Sequence, residues 1–169
     1  MRVTVTDANI FIDLIKLDLM AHLFAIELEI FTTAEVLEEL NDAQVSLMRQ
    51  FEQDGLLIIK LLTETERNAV SQLKAQAGLS FTDRTVIVLA ESLSALLLTG
   101  DGKVRKYCLA QRMEVRGIIW LFDRFLELQC IDHALAVEKM EGLMRINNRL
   151  PVEECLERIK KWKEDREVS

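Results

Sequence analysis

Apolar and polar positions follow two periods along this chain, and the period switches repeatedly. In residues 2–6, Val3 and Val5 alternate with polar residues, which is the pattern of a short strand. Residues 8–15 instead place apolar side chains at helical spacing, so that one side of a helix can pack on a sheet. This change of period predicts a chain in which strands and helices alternate.

The same alternation continues to residue 128. It implies right-handed crossovers between parallel strands, with helices covering both faces of the sheet. We therefore predict an α/β fold, with a three-layer α/β/α architecture around a central parallel sheet. The other predicted strands are 28–32, 56–62, 95–98 and one at Val115, and the other predicted helices are 19–25, 32–40, 42–54, 64–77, 83–93, 104–109 and 118–128.

Residues 131–169 predict helices only. One covers 131–146, and another begins at Pro151, which suits the first turn of a helix. We divide the chain into a core domain, residues 1–130, and a C-terminal helical extension, residues 131–169, that packs on the same domain. The final helix has an apolar stripe that either docks on the sheet layer, which we favour, or meets a partner protein or a second subunit in a homodimer. The stripe consists of Val152, Cys155, Leu156, Ile159 and Trp162.

The composition supports one compact unit. Of the 169 residues 50% are hydrophobic, enough for a substantial core, and the single proline and six glycines argue against a flexible linker. The net charge of −7 and the isoelectric point near 5.0 disfavour a broad attraction to nucleic acid. A polyanionic partner would therefore need a local basic patch or a bound cation.

The cysteines and the amino terminus bear on the compartment. Cys108, Cys130 and Cys155 are far apart and have no paired spacing, which favours reduced core thiols over disulfides or a zinc site. The first seven residues contain no apolar signal region, and no apolar run reaches membrane length. We predict a cytoplasmic protein that does not enter a membrane.

Three aspartates follow or precede predicted strands. Asp7 ends the first strand, Asp101 follows the apolar run 95–98, and Asp83 opens the helix before that run. Ligands of parallel sheets collect outside the carboxyl ends of the strands, so we expect these side chains at that edge. Aspartate is also a favoured helix cap, and each of the three stands where a helix begins.

The helix after the second strand offers a fourth acid. Its threonine start and Glu35 predict a capping box, which leaves Glu38 or Glu39 for the edge. Two carboxylates ~4 Å apart repel by about 4 kcal/mol at an effective dielectric of 20, so such a cluster calls for a cation. Oxygen ligands favour Mg²⁺ or Mn²⁺. His22 and His133 lie in helices away from this edge and are interpreted as ordinary histidines.

The order of these motifs resembles that of the PIN-domain ribonucleases. Their pattern looks like a strand ending in Asp, a helix with Glu before Leu, an Asp opening a helix, and a final Thr-x-Asp. The resemblance covers residues 1–125. The corresponding segments are Val5-Thr6-Asp7-Ala8-Asn9, Val36-Leu37-Glu38-Glu39-Leu40, Phe81-Thr82-Asp83 and Leu98-Thr99-Gly100-Asp101.

The resemblance implies an endoribonuclease that cleaves single-stranded RNA with Mg²⁺ or Mn²⁺. It selects Glu39, which stands directly before Leu40, over Glu38. Toxin-like members of the family have similar extensions, which raises an antitoxin protein as a partner. The implied catalytic and metal-binding residues are Asp7, Glu39, Asp83 and Asp101, the supporting residues are Thr99 and Asn9, and the basic residues near enough to bind RNA phosphates are Arg84, Lys103, Arg105 and Lys106.

Two other functions compete with this interpretation. A phosphatase of the haloacid dehalogenase type would use Asp7 as a nucleophile, but Asn9 stands where those enzymes typically have a second aspartate. A nonenzymatic PIN-like module would bind RNA or protein with the same fold. The presence of all four acids in one chain favours the enzyme.

Overall fold

The computed structural model describes residues 1–73 and 78–168. Within them five strands form one parallel sheet in the order β3-β2-β1-β4-β5. Parallel strands joined by helices give the predicted three-layer α/β/α architecture. The strands are β1 (Arg2–Thr6), β2 (Leu28–Thr33), β3 (Leu57–Lys60), β4 (Leu96–Leu98) and β5 (Val115–Arg116).

Helices connect the strands and close the carboxyl-terminal end of the chain. In the part of the chain that the structure describes, none is both long and apolar enough to span a bilayer. Their bounds are α1 (Ala8–Lys16), α2 (Met20–Ala25), α3 (Ala34–Leu37), α4 (Asp42–Gln53), α5 (Glu64–Leu73), α6 (Phe81–Ser92), α7 (Gly102–Ala110), α8 (Ile118–Glu127), α9 (His133–Ile146) and α10 (Val152–Val168).

The middle of the sheet is buried on both faces. Leu96, Leu97 and Leu98 of β4 are all at most 1% exposed, so the strand has no polar side. A strand covered by helices on both faces needs apolar residues at every position, which explains why its sequence lacks alternation. Burial on both faces holds the ends of β1 and β4 at fixed positions.

The helix after β2 is shorter than predicted. α3 is a single turn, because Asn41 begins α4 with a capping box in which its side chain accepts from Gln44 N and Gln44 Oε1 accepts from Asn41 N. Glu39 therefore lies in the turn after α3 and not in a helix, as the predicted helix 32–40 would place it.

The predicted capping box at Glu35 is wrong. Thr33 caps α3 by accepting from the amide of Val36, so Val36 occupies the third helical position and Glu35 the second. Glu35 cannot close the box from there. Its Oε2 is buried and has no hydrogen-bond partner within the described residues. Of the helix predicted over residues 64–77, Glu64–Leu73 form α5, and residues 74–77 lie outside the described part.

The C-terminal stripe packs inside the chain. The ring of Trp162 stacks on Phe122 of α8, with centroids 5.9 Å apart, and α10 packs along α9. Arg158 donates from Nε and Nη2 to the carboxylate of Asp123, also in α8. Two members of the predicted stripe, Val152 and Leu156, are exposed instead, because they lie beside the contacting face of α10. The domain boundary at residue 130 stays a prediction.

Candidate active site

The site lies where β1 and β4 end side by side. Thr6 of β1 pairs with Leu98 of β4, and the next amide, that of Asp7, donates to the Leu98 carbonyl at 2.9 Å. The chain leaves β1 toward β2 on one side, whereas β4 is followed by β5 on the other. Such a reversal opens a crevice at the carboxyl ends of the two central strands, and Asp7 stands at its base.

Asp7 is only 2% exposed and is held by hydrogen bonds on both oxygens. Oδ1 accepts from the amide of Ala8 at 2.8 Å, and Oδ2 accepts from the hydroxyl of Thr99 at 2.8 Å. The Thr99 oxygen in turn accepts from the amide of Asp101 at 3.1 Å. One hydroxyl thus connects the Asp7 carboxylate with the backbone of Asp101.

Asn9 ties the same two strand ends together from the other side. Its Oδ1 accepts from the amide of Gly100 at 2.7 Å, and its Nδ2 lies 3.4 Å from Asp7 Oδ2. A Cβ added to Gly100 would come within 3.3 Å of Asn9 Oδ1, so glycine permits this close approach. The structure therefore brings both predicted supporting residues onto Asp7.

Burial raises the pKa of Asp7 to about 6. The hydrogen bonds from Thr99 and Ala8 oppose the rise, whereas the charges of Asp83 and Glu39 add to it. Those two carboxylates therefore lie near enough to Asp7 to repel it. Because burial and like charges both disfavour the anion, a cation in this crevice would relieve an unfavourable arrangement.

Asp83 and Asp101 also accept hydrogen bonds from backbone amides at the starts of α6 and α7. Asp83 Oδ2 accepts from the amide of Ser80 at 2.8 Å in a capping box, and Asp101 Oδ1 accepts from the amides of Lys103 and Val104. In the described residues the second oxygen of each carboxylate, Asp83 Oδ1 and Asp101 Oδ2, makes no hydrogen bond. Capping and ion binding are therefore compatible, since each uses a different oxygen.

The four acids do not form a closed cage. Across residues 1–73 and 78–168 no group of three or more His, Cys, Asp or Glu side chains is arranged to hold a metal ion. Mg²⁺ usually keeps several waters and takes one or two carboxylates from the protein, so a partly open oxygen site fits it. Glu39 is exposed in its turn and can approach without disturbing the core.

The predicted RNA-binding cations occupy different positions around the crevice. Arg84 lies against backbone, with its guanidinium 3.4 Å from the carbonyls of Ser80 and Val70. Lys103 lies at Gly78, where an added Cβ would be 3.2 Å from its Nζ. Arg105 lies near Gly117, with Nη1 3.6 Å from an added Cβ, and Lys106 is exposed on α7. The side chain of Lys103, at the start of α7, thus lies beside the segment before α6, which the sequence did not indicate.

Buried threonines position the helices of the site. The sequence pattern did not indicate this role. The hydroxyls of Thr33 and Thr85 are 3.0 Å apart, and Thr85 also donates to the Thr82 carbonyl at 2.7 Å. Thr32 donates to the Thr6 carbonyl at 2.8 Å. These bonds anchor the start of α6, and with it Asp83, to the ends of β2 and β1. The available signal was a polar residue, Thr85, on the apolar side of α6.

Comparison with known protein families finds one whose model matches this chain. The family model DUF3368, described as a PIN domain, matches residues 3–164. The match covers the sheet from its second residue, the acids at its carboxyl edge, all of α9 and α10 as far as residue 164. No curated protein matches the chain.

Proposed function

Since the chain belongs to the PIN-domain family, we propose that it is a metal-dependent endoribonuclease that hydrolyses phosphodiester bonds of single-stranded RNA. The fold of this family is a nuclease fold, and its members generally use divalent metals. The proposal commits this chain to Mg²⁺ or Mn²⁺ as the cofactor and to RNA as the substrate.

One observation carries the proposal. Asp7 is buried at the junction of β1 and β4, and the charges of Asp83 and Glu39 act on it there. Carboxylates held close together in a crevice destabilise a protein unless protons or a cation neutralise them. A divalent cation with a phosphodiester oxygen as a further ligand is the neutralising group that oxygen donors at this edge support best.

Each residue has a separate task in this proposal. Asp7, Glu39, Asp83 and Asp101 would hold the ion, which when bound supplies activation of a water and neutralisation of charge on the phosphodiester. The hydroxyl of Thr99 keeps the Asp7 carboxylate in one orientation, since it donates to Oδ2.

The contact between Asn9 and Gly100 holds the ends of β1 and β4 together, so that the distance between Asp7 and Asp101 stays constant. Lys103 and the exposed Arg105 and Lys106 of α7 supply positive charge for the phosphates that flank the cleaved bond. Positive charge there lets an acidic protein bind RNA locally.

A role as the toxin of a toxin–antitoxin pair stays a prediction. It would require an antitoxin protein that covers the crevice and blocks RNA from reaching Asp7. Homodimer formation also stays a prediction.

Cleavage of labelled single-stranded RNA with Mn²⁺, with Mg²⁺ and with EDTA tests the proposed function. We expect internal cuts with either metal and none with EDTA. A folded protein that leaves RNA intact under all conditions would favour the nonenzymatic module. Turnover of para-nitrophenyl phosphate in place of RNA would favour the phosphatase.

A further inference from the structure

Phe81 is exposed beside the acidic crevice. Phe81 is 55% exposed. Every other Phe, Tyr and Trp in residues 1–73 and 78–168 is buried or partly buried. Phe81 is the first residue of α6 and precedes Asp83 by two positions. An aromatic ring exposed at this one place is an unusual use of apolar surface, because burial of such a ring is strongly favourable.

The ring is held in position from one side. The guanidinium carbon of Arg84 lies 5.7 Å from the centroid of the Phe81 ring, which is the geometry of a cation–π contact. Arg84 is itself held, because its guanidinium also reaches the Ser80 and Val70 carbonyls. The capping box between Ser80 and Asp83 fixes the backbone on both sides of Phe81. The Arg84 contact and the capping box thus favour one orientation of the ring.

A cation lies beside the segment that leads into α6. Lys103 Nζ lies against Gly78, three residues before Phe81. Positive charge and an exposed aromatic ring are thus both found around the start of α6, the helix that carries Asp83. Proteins that bind single strands combine these two elements, with the cation on the backbone and the ring on a base.

We infer that Phe81 stacks on a nucleobase of single-stranded RNA beside the cleaved phosphodiester, with Lys103 on an adjacent phosphate. This inference rests on the proposed function. Stacking suits a chain whose net charge is −7, since it adds affinity without requiring general electrostatic attraction. It also explains a preference for single strands, whose bases are free to leave their neighbours.

The first experiment measures binding of a fluorescein-labelled single-stranded RNA in chelator, and KM and kcat for cleavage of the same RNA in Mn²⁺. The variants are Phe81→Ala, Phe81→Leu and Phe81→Trp in the full chain. Leu156→Ala is the matched control, because Leu156 is 52% exposed but lies on α10. Melting temperatures of all variants check that they fold.

We expect Phe81→Ala and Phe81→Leu to raise Kd and KM about tenfold, within the range for loss of one stacked base. Phe81→Trp should stay within about twofold of the wild type, because indole provides an equal or larger π-face. The control should bind as the wild type does. A Leu variant that binds normally would overturn the inference, since it keeps the apolar bulk and lacks only the aromatic face.

An RNA with one abasic position identifies the stacked base. Moving the abasic site along the strand should reveal a position at which wild-type affinity falls about as far as it does in Phe81→Ala. At that position Phe81→Ala should show little further loss, because the two changes remove the same contact. Equal, additive losses at every position would overturn the inference.

The salt dependence of RNA binding distinguishes the contribution of the Phe81 ring from that of Lys103. The affinity ratio between wild type and Phe81→Ala should remain constant as salt rises, whereas Lys103→Ala should reduce the slope of log K against log salt. A reduced slope in Phe81→Ala would count against stacking.

Failure of the stacking inference and failure of the proposed function would give different experimental results. RNA cleavage by the wild type with normal KM in Phe81→Ala would reject the stacking role alone and assign the exposed ring to a partner protein. Absence of both binding and cleavage in the folded wild type would reject the nuclease function, and the stacking role with it.

Discussion

Two buried aspartates, one capping α1 and one within it, have different surroundings. Asp7 caps the helix at the carboxyl edge of the sheet, and Asp13 lies one and a half turns further along, under the end of α9. They are 2% and 8% exposed, and burial is the largest cause that raises the pKa of each. The two carboxylates differ in the hydrogen-bond donors and charges that surround them.

At Asp13 the surroundings favour the charge. Asn147 Nδ2 donates to Oδ2 of Asp13 at 2.8 Å, and this bond and the charge of Lys16 both lower the pKa that burial raises. At Asp7 the hydrogen bonds from Thr99 and Ala8 are opposed by the charges of Asp83 and Glu39. The protein therefore supports a buried carboxylate where it ties two helices together, and adds further negative charge to one where ion binding is proposed.

The largest effect is expected for Asp101→Asn. It should lower metal-dependent RNA cleavage about a thousandfold, equivalent to ~4 kcal/mol of transition-state stabilisation, because an amide is a poor ligand for a hard cation. The helix should persist, since Asn caps nearly as well as Asp. Cleavage rates in Mn²⁺ measure this.

Asp132→Asn is the matched control for that variant. Asp132 caps α9 by accepting from the amide of Leu135 at 2.7 Å, far along the chain from the crevice. It should keep full activity. If both variants cleave RNA as the wild type does, Asp101 is a cap alone.

Asp7→Asn should stabilise the metal-free protein at pH 8 by up to about 3 kcal/mol. The pKa of Asp7 is about 6 in the folded chain against 3.8 for the free group, so the folded state binds the proton more tightly. The free energy of unfolding therefore falls as pH rises between these values and stays low above them. Urea titrations in chelator from pH 4 to 8 should show this fall in the wild type and a smaller one in the variant. A parallel pH profile in the two proteins would contradict the unfavourable ionisation of Asp7.

Mn²⁺ should raise the melting temperature of the wild type, and chelator should reverse the rise. An ion that binds only the folded state adds about 2.7 kcal/mol at a concentration one hundred times its Kd. Asp7→Asn should reduce the shift, because the buried carboxylate is lost, whereas Asp13→Asn should not. Equal shifts in both variants would place the ion elsewhere.

Asn147→Ala tests the other side of the comparison. Removing the donor leaves the buried Asp13 carboxylate with one partner fewer, which should cost about 1–3 kcal/mol of unfolding free energy at pH 8. The cost should shrink toward pH 4, because a protonated Asp13 no longer needs the donor as an anion does. RNA cleavage at a temperature where the variant is folded should be unchanged. Loss of activity in the folded variant would show that the two regions are coupled.

The smallest effect distinguishes the two glutamates after α3. Glu39→Gln should lower cleavage at least about tenfold, or ~1.4 kcal/mol, because its charge reaches Asp7. Glu38→Gln should leave the rate nearly unchanged. The reverse ranking would mean that Glu38, the C-cap of α3, is the residue that turns toward the crevice.

The sequence by itself predicted the order of strands and helices and the edge at which the acids gather. Periodicity, caps and apolar runs are local properties, so the bounds of β1 and α1 and the start of α7 at Asp101 could be read from neighbouring residues. The family followed from the order of the same motifs and is confirmed by the match over residues 3–164.

Tertiary structure decided how each acid is surrounded. The bond between Asp13 and Asn147 joins residues 134 positions apart, and the contact between Asp7 and Thr99 spans 92. No local pattern indicates which distant donor will reach a buried carboxylate. The shortness of α3 likewise depends on how α4 begins, and the lack of a partner for Glu35 Oε2 among the described residues depends on how the helices pack. Burial and the pairing of charges are properties of the packed chain, because they depend on which segments exclude water together.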